Sequence, residues 1–246
     1  MESIQDIVEY YDELFPVTED IQNFYSQLTG SYRSPVRILG IASNTGTLEI
    51  SLARNNCDVT GIEVSQPLLE SSILKRRTQL MSIRFFQLST IEMNKFLGKD
   101  FYHIIYCLNN RITYIRNQEY MEKFFFDCRE LLKDGGTVVL HVHNYEKLSH
   151  TEKIILSPRK SIRATLSTDI HVRNDRKVAV TQILETGNGK TRPIMVDEEV
   201  YPLVRKDIIR FGKKAGFRDF SFYSGFSLAP FTDDSENLLC IIKLRA

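Results

Sequence analysis

The sequence predicts a doubly wound α/β domain on a mostly parallel sheet, with an antiparallel β insertion after the fifth strand. Three observations predict it. Short apolar runs alternate with helical patterns from Val36 to His143, and such alternation implies right-handed βαβ crossovers and a parallel sheet. Residues 160–202 then change to the two-residue period of antiparallel strands. After them the chain returns to a helix and two closing strands, which complete seven strands in the main sheet.

The elements follow in order. Residues 4–30 read as two helices broken near Phe15-Pro16. Ile4, Ile7, Val8 and Tyr11 keep helical spacing, as do Ile21, Phe24, Tyr25 and Leu28. Thr18 and Asp20 suit the start of the second helix. Residues 36–42 form a buried strand, ended by the turn Ser43-Asn44-Thr45-Gly46. Residues 47–55 form a helix, with Leu48 and Leu52 on one face and Ile50 paired with Ala53. A strand at 58–64 and a helix at 67–78 come next, Pro67 fitting its first turn. Residues 83–87 and 102–108 are the third and fourth strands. A helix at 118–132, a turn at Lys133-Asp134-Gly135-Gly136 and a fifth strand at 137–143 complete the pattern.

In the insertion, Ile162-Arg163-Ala164-Thr165-Leu166 and residues 178–183 alternate, with turns at Asn174-Asp175 and Gly187-Asn188-Gly189. A helix at 204–215, stopped by Gly216, leads to strands near 217–225 and 238–244. The organisation predicted is one domain, 1–149 and 203–246, with an N-terminal helical lid, and an inserted cap at 150–202.

Of 246 residues, 42% are hydrophobic, enough for a sizeable core, and the net charge is +1. That balance argues against nucleic acid as a partner. Lys75-Arg76-Arg77 reads as the last turn of a helix, where cations favour the dipole, rather than as a binding patch. The first ten residues do not resemble a signal peptide. No stretch reaches the roughly 20 apolar residues of a membrane helix, so a cytoplasmic protein is expected. Cys57, Cys107, Cys128 and Cys240 form no C-x-x-C pair and read as buried free thiols. No ligand spacing suggests a metal.

Chemistry is expected at the first turn. In open α/β sheets, ligands bind outside the carboxyl ends of strands where the strand order reverses. Amides at a helix N-terminus suit a carboxylate or ribose oxygen, and Gly46 allows close approach. Glu63 ends the next strand, where an acid can accept hydrogen bonds from a ribose diol. Either residue alone is an ordinary turn or strand end. Together they favour a nucleoside site. A dinucleotide site is disfavoured, because residues 40–46 lack G-x-G-x-x-G spacing.

The segment Ile38-Leu39-Gly40-Ile41-Ala42-Ser43-Asn44-Thr45-Gly46-Thr47-Leu48 resembles the first motif of class I S-adenosylmethionine-dependent methyltransferases. Asp58-Val59-Thr60-Gly61-Ile62-Glu63-Val64-Ser65 resembles their second. Leu131-Leu132-Lys133-Asp134-Gly135-Gly136, Tyr106-Cys107-Leu108-Asn109-Asn110 and Lys214-Ala215-Gly216-Phe217 resemble later segments, in the family's order. The resemblance implies S-adenosylmethionine as cofactor, held by Gly40, Ala42, Asn44, Thr45, Gly46, Glu63, Val64, Ser89, Thr90, Leu108 and Asn110. It implies methyl transfer to a nitrogen or oxygen of a small-molecule acceptor beneath the cap. Tyr11, in a lid-like segment, and His143, as a base, are the catalytic candidates. Tyr10, Asn110 and Tyr145 are further substrate-facing candidates.

The chain also departs from the family. Gly40 stands where the first motif has an acid, Ala42 and Asn44 where it has glycines, Ser89 where an acid meets the adenine amino group, and His103 at another usually acidic position. These departures leave a second reading open, a catalytically inactive binding or regulatory protein. The inserted strands also offer edges for a homodimer.

Overall fold

The computed structural model describes residues 7–76 and 82–245. Ile4, Arg77 and Thr78, named above, lie outside the described residues. The strands of the first half are β1 (Arg37–Ile41), β2 (Asp58–Glu63), β3 (Ile83–Gln87), β4 (Tyr102–Cys107) and β5 (Leu132–His143). The helices are α1 (Tyr11–Leu14), α2 (Glu19–Gly30), α3 (Thr47–Arg54), α4 (Gln66–Lys75), α5 (Met93–Phe96), α6 (Gln118–Leu131) and α7 (Arg205–Lys214). The insertion holds β6 (Lys153–Ile155), β7 (Arg159–Lys160), β8 (Ala164–Val172), β9 (Val178–Thr186) and β10 (Thr191–Val200). The closing strands are β11 (Asp219–Tyr223) and β12 (Asn237–Lys243).

The main sheet has seven strands in the order β11-β12-β5-β4-β1-β2-β3. β1 to β5 run parallel, while β12 and β11 pair antiparallel. β1 lies between β2 and β4, so the strand order reverses there and leaves a crevice at the carboxyl ends. The doubly wound, mostly parallel seven-stranded sheet is the one the sequence predicts. β6 to β10 form a separate antiparallel sheet, and it begins a few residues before the alternation becomes legible.

One local reading changes. Lys133 to Gly136 is a bend inside β5 rather than a turn before it. Leu132 already pairs with Tyr102, Gly135 takes φ +76°, and pairing resumes at Ile104 opposite Thr137. Two glycines read as a turn signal, but Leu132 before them and Thr137 after them both pair with β4, so the segment is an irregularity within one strand.

The core lies on both faces of the sheet. Leu39, Ile41 and Ile105 pack with Phe124, Phe125 and Phe211 of α6 and α7. Ile38, Val59 and Ile104 pack with Phe24 and Tyr25 of α2 and with α3. Each such side chain contributes about 1.5–3 kcal/mol by leaving water. A third cluster joins the lid to the insertion. Ile7, Tyr11 and Leu14 meet Leu166, Leu184 and Ile194, and Arg163 pairs with Glu9 and, at 3.0 Å, with Glu13. This packing brings lid and insertion together over the carboxyl ends of the main strands.

All four cysteines are buried and free. Among the described residues no helix is long and apolar enough to cross a membrane, and no His, Cys, Asp and Glu side chains cluster as a metal site would.

Candidate cofactor and acceptor site

The turn after β1 is held by its own atoms. Ala42 (φ 54°), Asn44 (φ 52°) and Gly46 (φ 72°) all take the left-handed conformation. Positions 42 and 44 thus keep backbone angles that glycine favours, at about 1–2 kcal/mol for alanine. Asn44 meets that demand with its side chain, whose Nδ2 donates to the Ala42 carbonyl at 2.6 Å. Its backbone N–H donates to Glu63 Oε2 at 2.9 Å. Glu63 Oε1 accepts from the Val64 and Ser65 amides, both at 2.9 Å, and Arg111 lies 3.7 Å away. Glu63 is therefore buried at the expected strand end and locks two βα turns together. Its Oε2 accepts one hydrogen bond and keeps acceptor capacity.

The lid is latched to this turn. Asp12 accepts from Thr45 Oγ1 at 2.6 Å and Thr47 Oγ1 at 2.8 Å, and pairs with Lys75. Lys75 also donates to the Thr45 carbonyl at 3.2 Å. Lys75 thus ends α4, as its position suggests, and serves the lid.

Three cavities adjoin the carboxyl ends of β1, β2 and β4. The first, about 320 Å³, is lined by Ala42, Ser43, Asn44, Thr45, Glu49, Tyr106, Leu108, Asn109, His141 and Arg159, among others. Three of its polar atoms are buried without a partner: Ser43 Oγ, Asn44 Oδ1 and His141 Nδ1. Buried polar atoms left unpaired cost about 1–3 kcal/mol each, and a polar ligand relieves that cost. The second, about 330 Å³, lies between lid and insertion and includes Tyr11, Arg111, Tyr114, His143, Arg159 and Met195. It shares Tyr11, Phe15, Asn44, Asn109, Arg159 and Asn237 with the first. The third, about 420 Å³, is flanked by Glu63, Val64, Leu88, Ser89, Thr90 and Arg111. Its wall is mostly apolar.

The predicted residues divide among these places. Ala42, Asn44, Thr45 and Leu108 line the first cavity; Glu63, Val64, Ser89 and Thr90 line the third. Gly40 and Gly46 line none of the three. Asn110 borders the second, but its side chain is engaged: Nδ2 donates to Tyr145 OH at 2.8 Å and Oδ1 accepts from the His143 amide at 3.2 Å. Tyr145 is buried in the insertion-side core, and Tyr10 packs beneath Arg163; neither borders these cavities.

Tyr11 and His143 both face the second cavity. Burial raises the Tyr11 phenol, so it stays protonated. Burial pushes His143 down to about 4, so its ring is neutral near pH 7. Its Nδ1 sits 3.0 Å from Asn237 Oδ1. With that carbonyl as partner, Nδ1 carries the proton and Nε2 is left as an acceptor.

Sequence reasoning missed Glu49, Tyr106, Asn109, Arg111, His141 and Arg159. For Glu49 a signal existed: it shares a helix face with Leu52 and Ala53, a charge on an apolar stripe. Arg159 carried none, because its place depends on how the insertion folds back.

Comparison with known proteins agrees with this geometry. Residues 38–136 match the sequence model of a family described as "Methyltransferase domain". The chain has the class I methyltransferase fold, and residues 38–136 are similar to that domain in sequence. A protein of Geobacillus sp. (strain WCH70), provisionally described as a methyltransferase, is 31% identical over 114 residues, 46% of this chain and 45% of its own length. The chain spans about half the length of the curated relatives it matches. Among solved structures, an S-adenosylmethionine-dependent methyltransferase of Clostridium acetobutylicum superimposes with TM-score 0.78 at 18% identity, covering 98% of both chains. The sugar N-methyltransferase KedS8 of Streptoalloteichus does so with TM-score 0.65 at 13% identity, covering 96% and 91%.

S-adenosylmethionine is the cofactor this fold implies, and the residues present fit it. The three orphaned polar atoms suit a polar amino-acid moiety. Glu63 and the apolar third cavity suit a nucleoside.

Proposed function

We propose that the chain transfers the methyl group of S-adenosylmethionine to a nitrogen or oxygen of a small molecule held in the second cavity. The observation that supports this most is the junction of the first two cavities. Six residues border both, so an acceptor in the second lies directly against a ligand in the first. Bound there, S-adenosylmethionine supplies an activated methyl group whose leaving group needs no protonation.

The protein's own work is then alignment and exclusion of water. Asn109 donates to Tyr11 OH at 3.5 Å, so the two polar groups at the junction orient each other. His143 Nε2 offers a hydrogen-bond acceptor to an N–H or O–H. As a neutral ring with a low proton affinity it orients a nucleophile better than it deprotonates one. Tyr11 and Tyr114 are both raised by burial and remove no proton near neutral pH. A neutral amine needs no base before attack and an alcohol does, so nitrogen is the better-fitting acceptor atom. A sugar N-methyltransferase among the structural neighbours agrees with this preference.

The test is conversion of S-adenosylmethionine to S-adenosylhomocysteine by the purified chain, with acceptor panels of small amines and of alcohols. Turnover with amines supports the reading. Turnover confined to alcohols overturns the nitrogen preference. Cofactor binding without turnover on either panel favours a binding or regulatory protein.

A further inference from the structure

Gly40 lies in the middle of the main sheet, in register with Gly61 of β2 and Tyr106 of β4. A Cβ placed on Gly40 overlaps Glu49 Oε1 and comes within 2.8 Å of the Tyr106 hydroxyl. The Glu49 carboxylate, delivered by α3, therefore fills the volume a side chain at position 40 would take. Glu49 is only 2% exposed and lines the first cavity. Among the described residues no cationic side chain forms an ion pair with it; Lys75, the one cation acting on it, is committed to Asp12.

A buried carboxylate without a cation is costly, and such charges are normally paired. Around Glu49 the wall offers acceptors or hydroxyls: the unpartnered Asn44 Oδ1 and Ser43 Oγ, and the Tyr106 hydroxyl that acts on Glu49 itself. A primary ammonium, with three donors and no acceptor, is the complement of that set. On the same cavity lies Arg159, a cation of β7 that forms no ion pair among the described residues and packs 4.4 Å over the Phe15 ring. Two unpaired charges of opposite sign on one cavity suit the zwitterion of an α-amino acid.

We propose that Glu49 receives the α-ammonium of the amino-acid moiety of S-adenosylmethionine, so that α3 supplies the carboxylate that β1 lacks at Gly40. This rests on the methyl-transfer reading above. It assigns Glu49 a ligand-binding role and leaves the acceptor to the second cavity.

The test is calorimetric titration of the full chain with S-adenosylhomocysteine and, separately, with 5′-methylthioadenosine, which lacks the amino acid. Glu49→Gln keeps the side-chain shape and removes the charge. It is expected to weaken S-adenosylhomocysteine about tenfold to a hundredfold and to leave methylthioadenosine within about twofold. Burial pushes the Glu49 carboxyl up to about 7, so wild-type affinity for S-adenosylhomocysteine should rise between pH 6 and 8. The variant should be flat. The groups acting on Glu49 are Tyr106 of β4, Glu63 of β2 and Lys75 of α4, and Tyr25 of α2 faces it; only Glu49's own titration is lost in the variant. Equal loss for both ligands, or no loss for either, overturns the assignment while wild-type binding keeps the methyl-transfer reading. If wild-type protein binds neither ligand, that reading falls first and the assignment with it.

Discussion

Thr45 Oγ1 donates to Asp12 Oδ1 at 2.6 Å, and Thr47 Oγ1 donates to the same oxygen at 2.8 Å, so the lid and the first βα turn share one carboxylate. Burial works against the Asp12 charge, but hydrogen bonds from Lys75, Thr45 and Thr47 outweigh it and hold the carboxyl below its usual value. The latch is therefore present above the usual carboxylate range and lost as pH falls through the lowered pKa. Asp12 and Lys75 are partly exposed, so the contribution is modest. Asp12→Ala is expected to weaken S-adenosylhomocysteine about twofold to fivefold. It should also speed amide exchange across residues 7–17 at pH 7. Hydrogen exchange with unchanged lid protection would show that the apolar contacts to Leu166 and Leu184 hold the lid alone.

Glu63→Ala tests a nucleoside site poorly, because Glu63 also holds the turn. Three backbone amides lose their acceptor at once and Arg111 loses its counter-charge. A loss of about 3 kcal/mol or more in stability is expected, measured by urea unfolding. A ribose role is read instead from Glu63→Gln, by comparing methylthioadenosine with free adenine. Loss for the nucleoside alone supports ribose contact.

Glu49 links stability to pH. Burial raises its carboxyl to about 7 in the folded protein, against an ordinary glutamate value of about 4.5. The folded state therefore holds the proton more tightly, and stability falls as pH rises from about 4.5 to about 7. That loss amounts to about 3 kcal/mol. Glu49→Gln should gain about 1–3 kcal/mol over wild type at pH 8 and little at pH 4.5. Urea midpoints at the two pH values check it. A variant that is more stable yet binds the amino-acid moiety less well is the mark of a charge kept for a ligand.

Ala42 and Asn44 stand at glycine positions for different reasons. Ala42 adopts φ 54° with no hydrogen bond of its own side chain. Ala42→Gly is expected to be neutral or stabilising by up to about 1 kcal/mol, the relief of strain offset by glycine's entropy. Asn44→Gly also removes the 2.6 Å bond to the Ala42 carbonyl and should destabilise by about 1 kcal/mol. Thermal unfolding of both variants separates them. Equal effects would show that the Asn44 side chain adds nothing to the turn.

How much was legible follows the range of each interaction. Strand β1, the turn to Gly46 and Glu63 at the next strand end were readable, because period, glycine and chain order are local signals. The bend at Gly135 was misread because β4 pairs with the residues on either side of it, Leu132 and Thr137, and so makes one strand of the two parts. Asn110 read as a cofactor residue, yet its amide joins Tyr145 to His143. Asn109, beside it, is the one that borders both cavities. Two adjacent asparagines are indistinguishable until the turn sets which way each points.

By itself the sequence determined the alternation of elements, the parallel sheet, the place of the inserted strands and the turn after β1. All of these follow from periodicity and turn chemistry within short windows. Only the tertiary structure decided which polar groups converge. Glu49 came from α3 to fill the side-chain place of Gly40, Asp12 came from the lid to Thr45, and Arg159 came from the insertion to the cavity wall. Such meetings depend on packing between segments far apart in the chain, and no local pattern encodes that.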